Sequence, residues 1–443
     1  MNLRPYAEYR DSRLPWVGKI PAHWRVLRNG GLFAHRVETG YPDLPILEVS
    51  LRTGVTIRDF GNSKRKQVMS QREKYKCARQ GDIAYNMMRM WQGAVGVAPV
   101  DGLVSPAYVV VQPYAGTDTR YFNYLFGTQA YKAEVNKYSR GIVADRNRLY
   151  WDGFKQIPSI VPPPDEQSKI AAFLRAQDRQ IAKLIRSKRR LIELLNEQKQ
   201  TIIHRAVKRG LNPDVPLKPS GIDWLGDVPE HWEIRRLKRV CKLSYGDALP
   251  SDGRASGEVP VFGSNGRISN HSVSNTLAPC IVIGRKGSFG KVNYSPIVTF
   301  TIDTAFFIDK RSTTANLRWL YYLLQWAKLD SVSKDSAVPG LDRGEAYKTF
   351  VPFCSLNEQN QIAEHLDAEL EFANAAESRV GDEIKLILEY RDRLISDVVT
   401  GQIDVRGWQL ELDDESDTEP LTTLSEADEN GESLDDDEEI GDV

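Results

Sequence analysis

The chain has few of the residues that hold metals or small disulfide-linked folds together. Its 443 residues include four cysteines, Cys77, Cys241, Cys280 and Cys354, none in a C-x-x-C pair. That spacing excludes a disulfide framework and a cysteine zinc site, and fits the free thiols of a cytoplasmic protein. The six histidines (His23, His35, His204, His231, His271, His365) form no H-x-x-x-H pair, so no metal site is expected. No apolar run reaches the roughly 18 residues of a membrane span, and the opening MNLRPYAEYRDSRLPW has no signal-peptide core.

Catalytic motifs are missing as well. GRKGSFGKV (284–292) imitates a phosphate loop, but five residues separate Gly284 from Gly290 where four are needed. Val292 also stands where a Mg²⁺-binding Ser or Thr belongs. Pro164-Asp165 with Glu197-Gln198-Lys199 imitates a nuclease centre. Both halves lie on one expected helix, about 48 Å apart at 1.5 Å per residue, too far to share a metal. Neither a G-x-G-x-x-G loop after a strand nor an N-P-P-aromatic motif occurs, which leaves the chain without a nucleotide-cofactor or amino-methyltransferase signature.

Bases are absent from the last 33 residues, which are rich in acids. Residues 411–443 hold 16 acids and no Lys or Arg, so residues 1–410 carry all 59 bases against 44 acids, an excess of about +15 hidden in a formal net charge of -1. A basic body of this kind suits a polyanion. The acidic segment has the composition of a disordered tail, and beside a basic body it is a candidate phosphate mimic.

What the chain does have, it has twice. LPWVGKIPAHW (14–24) recurs as IDWLGDVPEHW (222–232), pairing Ser12 with Ser220, Trp16 with Trp224, Gly18 with Gly226, Pro21 with Pro229 and His23-Trp24 with His231-Trp232. The Trp residues are expected as core anchors, and the His-Trp pairs in packing and hydrogen bonding. PPPDEQSKIAAFL (162–174) is answered by LNEQNQIAEHL (356–366), and Asp145-Arg146 resembles Asp342-Arg343. Between these ends the halves diverge. Each has β-type runs (AYVVVQP, 107–113; CIVIG, 280–284; VTFTIDTAFFI, 298–308) and then an aromatic helix (RYFNYLF, LRWLYYLL). A long helix closes each half, with Asp165 and Asn357 as expected N-caps. A period near 200 residues means duplicated domains, not a solenoid.

The two long helices show one apolar stripe each. On the first, Leu174, Ile181, Leu195 and Ile202 fall at multiples of seven, with Leu184 and Leu191 interleaved, Ile185 and Ile192 widening the stripe, and Lys188 and Gln198 as flaws. On the second the series is Leu366, Ala373, Val380, Ile387 and Leu394, with Leu370, Ile384 and Val398 between. This is a coiled-coil seam, with a kink expected at Gly381, a residue that costs a helix about 1 kcal/mol.

The divergent middles supply basic and amide side chains near turns: Lys64, Arg65 and Lys66; Arg89 and Gln92; Arg146, Asn147 and Arg148; Asn265 and Arg267; Arg285, Lys286 and Lys291; and Arg343. Arg and Lys suit guanine edges and phosphates, and Asn and Gln suit adenine. One such loop is an ordinary solvated turn. Six, at matching places in two halves, point to double-stranded DNA.

The paired openings, the paired helix entries and the helix ends TIIHRAVKRGL (201–211) and LISDVVTGQIDV (394–405) together resemble the specificity subunit of type I DNA restriction–modification enzymes, over residues 11–406. The resemblance implies an α/β (α+β) fold of two tandem mixed α/β target-recognition domains with pseudo-two-fold symmetry. Each domain is followed by a long helix, and the two helices form an antiparallel coiled coil. The expected boundaries are a first recognition domain at 1–165, a spacer helix at 166–209, a linker at 210–220, and a second recognition domain at 221–356. A second spacer helix at 357–400, a segment at 401–410 and the acidic tail at 411–443 complete the chain. The implied function is non-catalytic recognition of a bipartite asymmetric DNA site for adenine methylation and cleavage by partner modification and restriction subunits. S-adenosylmethionine, ATP and Mg²⁺ belong to those partners, and no cofactor is expected on this chain. The location implied is cytoplasmic, without a membrane partner. MRMWQGAVGV in the first half departs from the pattern by lacking the Gly-Ser-x-Gly turn of Gly287–Gly290. Two other classes remain open: a coiled-coil adaptor binding only proteins, and a nuclease or methyltransferase with degenerate motifs.

Overall fold

A computed structural model describes residues 4–58, 71–141, 147–250, 253, 256–327, 329 and 340–409. Lys64, Arg65, Lys66, Arg146 and the acidic tail lie outside them. The chain forms two compact units, Met1–Arg189 with Asp382–Val443, and Arg190–Gly381. Each long helix thus gives one half to each unit, where the sequence pattern sets the helices apart as separate spacers.

In the first unit a four-stranded antiparallel sheet runs in the order Phe33–Arg36, Tyr108–Pro113, Ile83–Asn86, Val95–Val97. Helices α1 (Thr119–Gly127) and α2 (Gln129–Tyr138), a one-turn helix α3 (Trp151–Phe154) and the long α4 (Pro164–Arg209) follow in sequence. The second unit repeats the plan with Ser244–Tyr245, Ala305–Asp309, Cys280–Gly284 and Val292–Ser295, then α5 (Leu317–Trp326), α6 (Arg343–Lys348) and the long α7 (Leu356–Val399). The central strands are buried runs because helices cover them. Tyr121, Phe122, Leu125 and Phe126 of α1 lie in one core, and Trp319, Leu320, Leu323 and Leu324 of α5 in the other. Each large apolar side chain so buried contributes about 1.5–3 kcal/mol. Asp118 and Asn316 start these helices by accepting from the amides of Arg120 (3.0 Å) and Trp319 (2.9 Å).

The repeated motifs make repeated bonds. The Ser12 amide donates to the Gly18 carbonyl at 2.9 Å, and Ser220 to Gly226 at 3.1 Å. Trp24 and Trp232 are both 1% exposed. Each donates its indole N–H at 3.1 Å to a glutamate in the first turn of a long helix, Glu166 or Glu358. His23 and His231 reach the same carboxylates at 2.8 and 2.7 Å. The next residue ties the aromatic helix in place: Gln167 accepts from the Asp118 amide (2.8 Å) and Gln359 from the Asn316 amide (2.9 Å). Opposite, each tryptophan meets the end of the other long helix. A Cβ at Gly401 would stand 2.4 Å from Pro21 and 3.1 Å from Trp24, and one at Gly210 would stand 3.2 Å from Trp232. Both glycines have positive φ, +74° and +75°, the backbone that ends a helix at least cost when no Cβ is present.

Two expectations change. The helices begin one residue ahead of the expected caps, so Asp165 and Asn357 lie inside the first turn. Pro164 opens α4, where its missing N–H costs nothing, and the Pro163 carbonyl accepts from Glu166 and Gln167. Ser355 and Glu358 form a capping box, with the Ser355 hydroxyl accepting from the Glu358 amide at 3.3 Å. Trp224 is no core anchor: it is 54% exposed and lies beside Trp326, with ring centres 5.2 Å apart. The helix runs unbroken through Gly381.

The long helices pack antiparallel. In the first unit Asp178 pairs with Arg391 at 2.7 Å and Lys188 with Glu383, and in the second Lys199 pairs with Glu377. Leu174, Ile181, Ile185, Leu366, Leu370, Ala373, Val380, Ile384, Leu394 and Val398 are buried. Ile192, Leu195, Ile202 and Ile387 are half-buried. Leu184 and Leu191, expected in the seam, are instead 45% and 44% exposed. The interleaved positions belong to Asp178, Ile185, Ile192, Lys199 and Ala206, one residue further on. Their charged members enter because each has an opposite charge on the facing helix. Lys188 is therefore part of the seam, and Gln198 lies off it, exposed.

Burial acts to raise the Glu358 carboxyl, but hydrogen bonds from His231, Trp232 and Ser355 outweigh it and hold the group below the ordinary glutamate value. A depressed folded value stabilises above the unfolded value, about 4.3, and that contribution is lost as pH falls through the folded one. Glu358→Gln should lower thermal stability at neutral pH and flatten its decline in acid, measured by calorimetry across that range. A Cβ at Gly381 would meet nothing within 4 Å. Gly381→Ala should therefore raise stability by up to about 1 kcal/mol in urea unfolding.

Candidate nucleic-acid interface

In the second sheet Tyr245 pairs with Phe306, Phe306 with Ile283, and Ile283 with Val292. The loops after Tyr245 and Gly284, and those before Ala305 and Val292, therefore leave the sheet at one end. The amides of Arg285 and Lys286 both donate to the Thr304 carbonyl, at 2.9 and 3.1 Å, and the Leu341 amide donates to the Arg285 carbonyl at 2.8 Å. That last bond brings Arg343, first residue of α6, to the same place. Gly284 permits a close approach: a Cβ there would lie 2.1 Å from the Ser288 carbonyl oxygen and 2.6 Å from that of Ser264. The hairpin turn at Ser264-Asn265 thus seats against the 284–291 loop. Lys291 donates to the Asn265 carbonyl and side chain at 2.9 and 2.8 Å, and Arg267 on the same hairpin donates to Asn270 at 2.8 Å.

The centre of this end is Tyr245, a residue the sequence pattern did not single out. It is 45% exposed. The guanidinium carbons of Arg285 and Arg343 lie 5.0 and 4.7 Å from its ring centre, within cation–π range. Arg285 also donates to the Asp303 carbonyl at 3.1 Å. Two planar donor forks on one ring present what a guanine edge or a phosphate accepts. Asn265, Arg267, Arg285, Lys286, Lys291 and Arg343 are thus gathered at one end of one sheet.

The first unit places its candidates at the corresponding end. Arg89 and Gln92 lie in the turn 87–94 between Ile83–Asn86 and Val95–Val97, braced by the Trp91 indole donating to the Met88 carbonyl at 2.9 Å. The Leu149 amide donates to the Met87 carbonyl at 2.8 Å, as Leu341 does to Arg285. This brings in Arg148, and Asn147, which donates to Asn136 at 2.9 Å. The same bond sets Tyr150-Trp151 where the second unit has Asp342-Arg343; Asp145-Arg146, matched to that pair in the sequence, lies outside the described residues. Trp151 stacks on His35, ring centres 5.3 Å apart. Burial and then Lys76 hold the His35 imidazole below its ordinary value, neutral at pH 7. The two ends share a frame and differ in chemistry.

All four cysteines are buried free thiols, and burial pushes Cys241 and Cys354 up to about 12. Among the described residues no group of His, Cys, Asp and Glu is placed to hold a metal ion, and no described helix is long and apolar enough to cross a membrane.

Comparison with known proteins agrees with this architecture. Residues 229–386 match the type I restriction modification DNA specificity domain. The putative type I restriction enzyme MjaX specificity subunit of Methanocaldococcus jannaschii is 23% identical over 392 residues, covering 80% of this chain and 88% of that one. The type I restriction enzyme MjaVIII specificity subunit of the same organism is 32% identical over 93 residues, 21% of this chain and 20% of the other. A chain from a structure describing complex assembly and conformational transition of the type I R-M system shares the fold. Its TM-score is 0.58 at 16% identity, over 86% of this chain and 98% of that chain. Over most of its length the chain is thus similar to specificity subunits of type I restriction–modification systems.

Arg343→Lys keeps the charge and loses the planar fork, so it should cost about 1–3 kcal/mol in discrimination at one base pair. Lys291→Gln should weaken all duplexes alike. Competitive binding with single-base variants of the site separates the two outcomes.

Proposed function

We propose that each unit reads one half of a split duplex DNA site with the loops at the end of its four-stranded sheet. The observation that carries this reading is the Tyr245–Arg285–Arg343 cluster, set on the same frame bond that brings Asn147 and Arg148 beside Arg89 and Gln92 in the first unit. The recognition domains correspond to 1–165 and 221–356, and the half-sites differ because the residues at matching positions differ. Adenine methylation and ATP-driven cleavage fall to modification and restriction subunits that bind this chain. S-adenosylmethionine, ATP and Mg²⁺ are held by those partners, in the cytoplasm. The long helices, continuous through both units, are the surface offered to the modification subunits.

Two measurements test the reading. Affinity for duplex DNA, with the modification partner present, should fall linearly on a log–log plot against salt, with a slope of about -0.9 per phosphate contacted. A salt-independent interaction would contradict it. Exchanging residues 30–150 for the corresponding middle of a relative should change one half of the methylated motif and leave the other half and the gap intact. A change in both halves would refute two independent readers.

A further inference from the structure

The two sheet ends correspond residue by residue, because the bond from the Leu149 amide to the Met87 carbonyl matches the one from Leu341 to Arg285. Met87 and Arg285 each follow the last residue of a central strand, Asn86 and Gly284. Two residues back along those strands, Tyr85 pairs with Val109 and Ile283 with Phe306. Phe306 pairs in turn with Tyr245. In the first unit Val110 pairs with Arg36, so the next step of that register sets Val37 against Val109, where the second unit has Tyr245. Trp151 takes the place of Arg343, each two residues beyond the leucine of the shared bond. The positions that hold Tyr245 and its two guanidinium groups, Arg285 and Arg343, thus hold Val37, Met87 and Trp151 in the first unit. An aromatic ring with two cations is replaced by three apolar side chains.

Val37 is 63% exposed and Tyr150, beside Trp151, 47% exposed. Met87 and Trp151 are partly buried against the core, and Trp151 is fixed by its stack on His35. His35 and Val37 are two residues apart at the end of one strand, the spacing that puts side chains on the same face. Lys76 adds no donor to this face, since it donates to the Tyr108 carbonyl at 2.7 Å. Cations flank it instead. Arg140 and Arg148 form an antiparallel bridge, each amide donating to the other's carbonyl at 3.0 and 2.9 Å, and Arg148 immediately precedes Leu149. A small apolar patch beside arginines suits the groove of a duplex: phosphates meet the guanidinium groups, and the apolar group that a base edge offers in the major groove is the 5-methyl of thymine. Three side chains cover far less than the roughly 800 Å² per partner of a stable protein interface.

We propose that Val37, Met87 and Trp151 seat the 5-methyl group of a thymine in the first half-site. This unit then tells a T·A pair from the others by apolar contact, where the second unit uses guanidinium donors. The assignment rests on the proposed DNA reading. Adenine, guanine and cytosine present donors and acceptors in the major groove and no methyl. Such an edge pressed on Val37 and Trp151 loses water without gaining a partner, whereas the thymine methyl loses only its exposure to water.

Competitive binding to duplexes carrying the methylated motif, with the modification partner present, tests the seat by removing one methyl at a time. Deoxyuridine in place of thymidine keeps every hydrogen-bonding group of the base. At one position of the half-site that moves with residues 30–150, it should weaken binding about fourfold, the worth of one buried methyl-sized group. Cytosine at that position should bind worse still, and 5-methylcytosine should recover about fourfold over cytosine. Val37→Ser changes an exposed side chain from apolar to polar, so thymine and uracil should then bind alike. Cognate binding in which no thymine of that half-site responds to uracil would overturn the seat and leave the DNA reading standing. A uracil penalty unchanged in both Val37→Ser and Met87→Gln would overturn it as well. Weaker capture of the modification subunit by Val37→Ser without DNA, and no change in the uracil penalty, would make the patch a protein contact and refute the seat. A chain that binds no duplex with its partner would refute the DNA reading itself, and the seat with it.

Discussion

One hydrogen bond, made once in each unit, holds the architecture together: a buried tryptophan indole donating to a glutamate in the first turn of a long helix. Around it converge the strand that enters the unit, the start of one long helix and the glycine that ends the other. The charged acceptor explains why His23 and His231 accompany their tryptophans. A carboxylate withdrawn from water needs donors on its remaining lone pairs, and the imidazole supplies one. Glu166-Gln167 and Glu358-Gln359 then act as a two-residue joint. The glutamate fastens the entrance and the glutamine fastens the aromatic helix.

With the ends fastened, the middles are free to differ. Trp24 and Trp232 stand 208 positions apart, but Glu166 and Glu358 only 192, so the second unit makes the same closure with a shorter interior. What fills that interior decides the chemistry of the sheet end. Tyr245 with two guanidinium groups occupies one; Trp151 on a neutral His35 stands in the other.

Much of this was legible in the sequence because it is written twice: the entrances, the helix entries and the lysine- and arginine-bearing turns all recur. Leu184 and Leu191 were misplaced for a definite reason. Stepping three or four residues from Ile181 leads to an apolar side chain either way, and Asp178 and Lys199 looked too polar to mark the true line. Their partners, Arg391 and Glu377, lie about 200 residues away, where periodicity within one helix carries no information. Pro164 took the helix start from Asp165 because first-turn geometry favours proline as strongly as a cap favours aspartate. Tyr245 was missed as a single aromatic in KLSYGD, and only strand register sets it beside Arg285 and Arg343.

The division of each long helix between units has a consequence for synthesis. The first unit draws Leu394, Val398, Val399 and Val405 into its core and sets Gly401 against Trp24. The second is complete within residues 190–381. Although its chain leaves the ribosome first, the N-terminal unit is therefore the last to close, reversing the usual order in which domains fold during translation. A chain cut short anywhere before about residue 405 carries a finished second unit beside an open first one, with its aromatic core uncovered. Completeness of the polypeptide is checked by the fold of its own beginning.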